Sequence, residues 1–308
     1  MTTPQAGIIP VPGPAAHFLV VEASDRAADA RRIVAKLARV PELTAEVAAL
    51  AGDAGLRSVV SVGAALWDRV SPSARPRELA PFVPIGAGPL LAPATGGDVL
   101  LHVVADRPDS AFELTRRVRD ALGGLVKPLD EVAGFRYLDS RDLTGFIDGT
   151  ENPAGDERPT AALIGGEDAA FAGGSYVLIQ RYVHDLARWA ALPVAEQERI
   201  VGRTKPDSVE LDDALRPVTA HVSRTVIEED GEELQILRHS FPYGTTSESG
   251  LFFIAYCRER TTFDKMLTRM FGTSGDGHHD RLMEFSHPVS GGYFFAPSLE
   301  QLNALAGG

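Results

Sequence analysis

The sequence predicts an α+β fold made of two β-α-β-β-α-β units, each with an antiparallel sheet. Three observations carry that prediction. Short runs of β-branched, aromatic and other apolar residues, such as 17–23 and 175–183, have strand length and strand composition. Longer stretches between them, such as 110–122, repeat apolar residues at helical spacing. The order of these elements in residues 1–140 then recurs in 141–308, although no sequence identity between the halves is evident. A chain of 308 residues with 44% hydrophobic content is ample for two domains with those bounds.

In the first unit, 17–23 is the opening strand. Residues 26–50 read as helical, interrupted at Pro41. Val59 to Val62 is a second strand, 75–97 is rich in proline and glycine and reads as loop, and 98–105 is a third strand. Ser110 suits a helix N-cap, with Glu113 three residues on as a capping box. Leu114, Val118 and Leu122 share one face of that helix, Gly123-Gly124 ends it, and 125–137 is the last strand. This order is the ferredoxin-like arrangement. In the second unit, 175–183 is a strand and 186–201 a helix broken at Pro193. Residues 221–227 and 233–240 read as strands around Asp230-Gly231, a hairpin signal. Strand 251–256, a helix over 263–271 closed by Gly272, and strand 291–296 complete the repeat.

The 42 acidic and 30 basic residues leave a net charge of −12, which argues against nucleic acid or an anionic membrane as partner. The single cysteine, Cys257, excludes an intrachain disulfide and follows an apolar run, as a buried side chain would. Met1 to Gln5 offers no basic or apolar leader, and no run approaches the ~18 apolar residues of a membrane span. A cytoplasmic location is the expectation.

One stretch resists assignment to a regular element: Asp142-Leu143-Thr144-Gly145-Phe146-Ile147-Asp148-Gly149-Thr150-Glu151-Asn152-Pro153. Its glycines and proline forbid a long helix or strand, yet Phe146 and Ile147 call for burial. Asp148, between an apolar residue and a glycine, is placed to be desolvated on one side and open on the other, the setting of a carboxylate with shifted acidity. The bland alternative is a turn in which Asp148 caps the next segment. Farther on, Arg238 and Ser240 would share a face of a strand, with His239 on the other. A buried arginine requires a carboxylate or a charged ligand. Of eight histidines, His221 precedes a β-like run, and His278 and His279 lie in a glycine-rich loop without enough neighbours for a zinc site.

Taken together, Gly145 to Pro153, His221 73 residues after Asp148, and the segment Leu237-Arg238-His239-Ser240-Phe241-Pro242-Tyr243-Gly244 resemble the dye-decolourising peroxidases, in particular the bacterial B-type members. The resemblance covers nearly the whole chain. It implies two ferredoxin-like units of the dimeric α+β barrel type, the second of them haem-binding, with one haem b per chain. It implies a peroxidase that reduces H2O2 to water through an oxyferryl intermediate and oxidises dyes, phenolics or other one-electron donors. By the same resemblance His221 is the axial ligand of the haem iron. Asp148, Arg238 and Ser240 are distal catalytic residues, Ser240 standing where many members have Asn. Arg203, Gly149, Thr150 and Glu151 are cofactor-binding, Arg203 through a propionate. An acid is expected to orient His221, with Glu284 preferred and Asp280 second. Trp67, Trp189, Tyr176, Tyr182, Tyr243 and Tyr293 are candidates for passing electrons from donors too large to enter, with core packing the alternative reading of each. A homo-oligomer is expected. The C-terminal residues, ending Leu305-Ala306-Gly307-Gly308, lack a tail of the kind that anchors such proteins in encapsulin shells. The alternative on the same scaffold is a haem-handling protein with incidental peroxidase activity.

Overall fold

The computed structural model describes residues 2–307; Met1 and Gly308, the ends of the two terminal segments read above, lie outside the described residues. The first unit runs β1 (Ala15–Ala23), α1 (Ala27–Leu37), α2 (Val40–Ala51), β2 (Arg57–Gly63), α3 (Ala64–Val70), β3 (Ile85–Ala87), β4 (Leu90–Ala92), β5 (Val99–Ala105), α4 (Pro108–Leu122) and β6 (Val126–Phe135). The second runs α5 (Glu157–Ala162), β7 (Ser175–His184), α6 (Leu186–Ala190), α7 (Val194–Val201), α8 (His221–Thr225), β8 (Glu228–Glu229), β9 (Glu232–Glu233), β10 (Leu237–Arg238), β11 (Phe241–Gly244), β12 (Ser249–Cys257), α9 (Arg260–Met270), β13 (Ser286–Pro288), β14 (Gly292–Ala296) and α10 (Leu299–Gly307).

Strand order is β2-β5-β1-β6 in the first unit and β10-β12-β7-β14 in the second, with β11 beside β10 on β12, and every pairing is antiparallel. Both orders are the ferredoxin-like one. β14 pairs with β2 through Phe294 with Gly63 and Phe295 with Val62, so the units share one ten-stranded sheet. That sheet curls until β11 lies alongside β6, where a Cβ on Gly134 would meet the Cβ of Phe241 at 2.6 Å.

The period-two alternation of the strands divides the core in two. Phe18, Val20, Leu100, Ile179, Phe252 and Phe294 fill the inside of the curled sheet. Leu19, Val21, Val60, Leu101 and Val103 point outward, under Ile33, Leu37, Leu114 and Val118 of the helices. Cys257 is buried in this outer layer, and burial pushes its thiol up to about 11. No helix among the described residues is long and apolar enough to cross a membrane.

Four local expectations are corrected. α4 begins at Pro108, not after Ser110, because a proline in the first turn forfeits no hydrogen bond. Ser110 instead donates to the carboxylate of Asp53, and Glu113 turns to Arg116 and Arg117. Pro41 opens α2 rather than interrupting a helix that had begun before it. The residues read as a strand at 221–227 form α8, where packing of buried Val222 and Arg224 against the neighbouring helices outweighs the β-branched composition. The strand expected over 233–240 is split into β9 and β10, with 234–236 outside both. The hairpin at Asp230-Gly231 does form, with φ of 53° and 86° at the two turn residues.

Candidate active site

Between the outward face of β7 and β12 and the helices α8 and α9 lies a cavity of about 1500 Å³, its open mouth included. Leu178, Leu251, Phe253, Phe263, Met266 and Leu267 make most of its walls apolar. The exceptions are where the chemistry is.

The loop 142–151 forms one wall. Gly145 (φ 90°) and Gly149 (φ 80°) are left-handed, a conformation that side chains on L-residues resist. Arg141 donates to the carbonyls of Gly145 at 2.8 Å and Lys205 at 2.7 Å, and the Asp148 N–H donates to the carbonyl of Ser140 at 3.0 Å. Phe146 is thereby buried against Trp189, whose Nε1 donates to the carbonyl of Thr144 at 2.9 Å. Ile147 and Asp148 are left facing the cavity. Burial raises the proton affinity of Asp148 above the ordinary aspartate range, and the charge of Asp142 adds to that; Arg238 opposes it.

Arg238 reaches the same cavity from β10. Asn152 holds it there: the Asn152 Oδ1 accepts from the Arg238 N–H at 2.8 Å and its Nδ2 donates to the Arg238 carbonyl at 2.7 Å. The Arg238 Nε is buried without a hydrogen-bond partner among the described residues. His239 points the other way, as strand alternation requires, and meets the rings of His102 and Tyr256 edge-on. Ser240 does not complete the expected pair: β10 ends at Arg238, and the Ser240 Oγ accepts from the Ile254 N–H at 3.4 Å.

His221 is the first residue of α8, and its Nδ1 donates to the Asp280 Oδ2 at 2.6 Å. Asp280 is fully buried, and its other oxygen accepts from the Leu282 N–H at 2.9 Å. This corrects the expected order of the two acids. Glu284 is the last residue of a 3₁₀ turn that directs it to His279 at 3.0 Å and toward Arg281, not to His221. Arg203 is buried beside the cavity, bonded to Glu151, to Glu210 at 3.1 Å and to the carbonyl of Ser208 at 2.7 Å; Gly149, Thr150 and Glu151 line the same wall. The six aromatics considered as electron carriers are all buried, so none lies at the surface.

The clamp of Asn152 on Arg238 has no signature in the sequence, and His184 and Gln180 are cavity residues beyond those expected. Those two lie with Leu178 and Tyr182 at alternate positions of β7, all on the cavity. Polar residues recurring at strand spacing inside an apolar run were the available signal.

The chemistry of the lining fits a haem. The walls are apolar, one imidazole has its Nδ1 committed and its Nε2 left over, and one buried guanidinium nitrogen is unpartnered. Residues 5–136 match the profile of the Dyp-type peroxidase N-terminal domain and 139–301 that of the C-terminal domain. The chain belongs to the Dyp-type peroxidase family.

Among its relatives, the dye-decolorizing peroxidase of Mycobacterium tuberculosis is 47% identical over 80% of this chain and 75% of its own. That of Mycolicibacterium paratuberculosis is 42% identical over 94% and 82%. A variant of Rhodococcus jostii RHA1 DypB, solved in complex with heme, superposes with a TM-score of 0.93 at 44% identity over 98% of both chains. Membership makes this Dyp-type chain a haem peroxidase that acts on hydrogen peroxide and electron-donor substrates.

Proposed function

We propose that the cavity holds haem against His221 and that Asp148 and Arg238 carry the peroxide chemistry on the opposing wall. The observation that carries this reading is the 2.6 Å bond from His221 to buried Asp280, in the cavity that Asp148 and Arg238 also line. Haem, when bound, supplies the iron that takes two oxidising equivalents from peroxide and passes them on one at a time.

The chain's own residues do the rest. Asp280 fixes the proton on the His221 Nδ1, leaves Nε2 as the ligand atom, and makes the imidazole a stronger donor. Asp148 takes a proton from one peroxide oxygen and returns it to the other, so that water leaves. Arg238, held by Asn152, faces the negative charge that grows as the O–O bond breaks. Ser240, expected as a third distal residue, turns its hydroxyl toward the Ile254 N–H and takes no part in this reading. Arg203, with Gly149, Thr150 and Glu151, forms the polar side of the cavity, and its guanidinium suits the carboxylate edge of the cofactor once it exchanges its bond to Glu151 for one to that edge. Haem therefore belongs to residues 141–308, and 1–140 acts as the companion unit. A homo-oligomer in the cytoplasm, using dyes or phenolics as donors, completes the reading.

Two measurements test it. In haem-loaded protein, Asp148→Ala and Arg238→Ala are each expected to slow the peroxide-driven change of the Soret band by roughly tenfold or more. His221→Ala is expected to lose haem on gel filtration. Parental rates in both distal variants, or normal haem retention and spectrum in His221→Ala, overturn the assignment.

A further inference from the structure

The wall that carries Asp148 carries a second carboxylate, which the chemistry above does not use. Asp142 stands six residues earlier in the same loop. Its Oδ1 accepts from the His184 Nε2 at 3.0 Å. Its Oδ2 accepts from the Thr144 N–H at 2.9 Å and the Thr144 hydroxyl at 2.5 Å. The other nitrogen of His184 accepts from the Ser286 hydroxyl at 2.8 Å. Asp142, Thr144, His184 and Ser286 all line the cavity that Asp148 lines, and the side chains of Asp142 and His184 are only 15% and 4% exposed. The knot therefore ties the start of the loop to β7 and β13, the scaffold under the cavity.

Burial alone would push Asp142 toward its neutral form. The bonds from His184 and Thr144 outweigh burial and hold it below the ordinary aspartate range. A permanent charge in a poorly screened cavity acts on its neighbours more strongly than a surface charge would. We propose that Asp142 is a positioning residue for Asp148: its knot fixes the loop, and its charge sets the pH above which Asp148 can accept the peroxide proton. This rests on the reading of Asp148 given above.

The groups that face the two carboxylates define the expected sign. Asp148 faces Arg238 from β10, His221 from α8 and Asp142 from its own loop. Asp142 faces His184 from β7. Arg141 is turned to Asp139 and to backbone carbonyls, and the Lys205 Nζ to Gln197. Asp142 and burial thus act on Asp148 in one direction, with Arg238 against them. Removing the Asp142 charge makes Asp148 a proton acceptor at lower pH.

Asp142→Asn removes the charge while the knot can persist. The amide oxygen accepts from Thr144, the amide nitrogen donates to the His184 Nε2, and the imidazole shifts its proton to Nδ1 to donate to Ser286. His184→Gln is the companion variant, because a glutamine amide can still donate to an ionised Asp142 and is neutral at every pH. In full-length haem-loaded protein, the acid limb of the peroxide reaction is expected to move down by about 1 pH unit in Asp142→Asn, the scale of one nearby charge. It is expected not to move down in His184→Gln. Fluoride affinity of the ferric protein, a binding readout, should fall off with rising pH correspondingly earlier in Asp142→Asn. Asp148→Asn should lose the acid limb. An acid limb that survives in Asp148→Asn overturns the reading of Asp148 and this inference with it. A limb lost there but unmoved in Asp142→Asn, or equal slowing at all pH in Asp142→Asn and His184→Gln, overturns this inference alone.

Discussion

The two units have one strand order and opposite interiors. In the first, Leu19 and Val21 of β1, Val60 of β2 and Leu101 of β5 share one buried apolar cluster with Ile33, Leu37, Leu114 and Val118 of the covering helices. In the second, β7 takes the place of β1, but the same face presents Leu178, Gln180, Tyr182 and His184. The Tyr182 hydroxyl donates to the Gln180 Oε1 at 2.7 Å, and the Gln180 Nε2 is buried without a partner among the described residues. The covering helices differ as well. α1 has 11 residues and α2 has 12, whereas the segment after β7 is broken into α6, α7 and α8 of 5, 8 and 5 residues. Broken helices and polar strand positions hold the layers apart. The lesson is that the fold supplies a helix-on-sheet interlayer twice and the side chains decide whether it becomes core or pocket.

This contrast can be broken most directly by truncation. In haem-free protein, Leu101→Ala should cost about 2–5 kcal/mol in denaturant unfolding, because it opens a void in a closed core. Leu251→Ala should cost less, about 1 kcal/mol, because that side chain already borders open space. Equal costs would mean that the second interlayer is as closed as the first. Next, Asp280→Asn should weaken haem binding by about 10–100-fold in a transfer titration, the scale of a lost partner to a metal-ligating imidazole. Asn152→Ala should slow the peroxide reaction by several-fold, about 1 kcal/mol, with little change in haem affinity, since it frees the Arg238 backbone and leaves His221 untouched.

The smallest effect concerns Asp148 in the haem-free protein. Folding raises its proton affinity, so its contribution to stability is full below the ordinary aspartate range and is lost as pH rises through the raised value. Asp148→Asn removes that loss. At neutral pH it should melt roughly 2–4 °C above the parent, an advantage that vanishes in acid. A variant less stable than the parent at neutral pH would show that the carboxylate is not held at a cost.

Much of this was legible beforehand because strand alternation and helical spacing are local properties. β1, β5, β7, β12 and α9 all fall where 17–23, 98–105, 175–183, 251–256 and 263–271 were expected. What failed depended on distant partners. His221 heads a helix because α8 packs on α7 and α9, and nothing within 221–227 says so. The choice between Glu284 and Asp280 turned on a 3₁₀ turn that sends two acids four residues apart in different directions. Asn152 and Arg238 are 86 residues apart, so their mutual clamp is a product of the closed sheet and not of either segment.

The curling of that sheet bears on how copies of the chain can meet. An open sheet ends in strands whose amides invite another chain to add on. Here β6 and β11 lie against one another, and the side chain of Gln5 stitches the join between the units, donating to the carbonyls of Val60 at 2.8 Å and Pro297 at 2.9 Å. Where β11 lies on β6, that stretch of the margin is closed to strand addition.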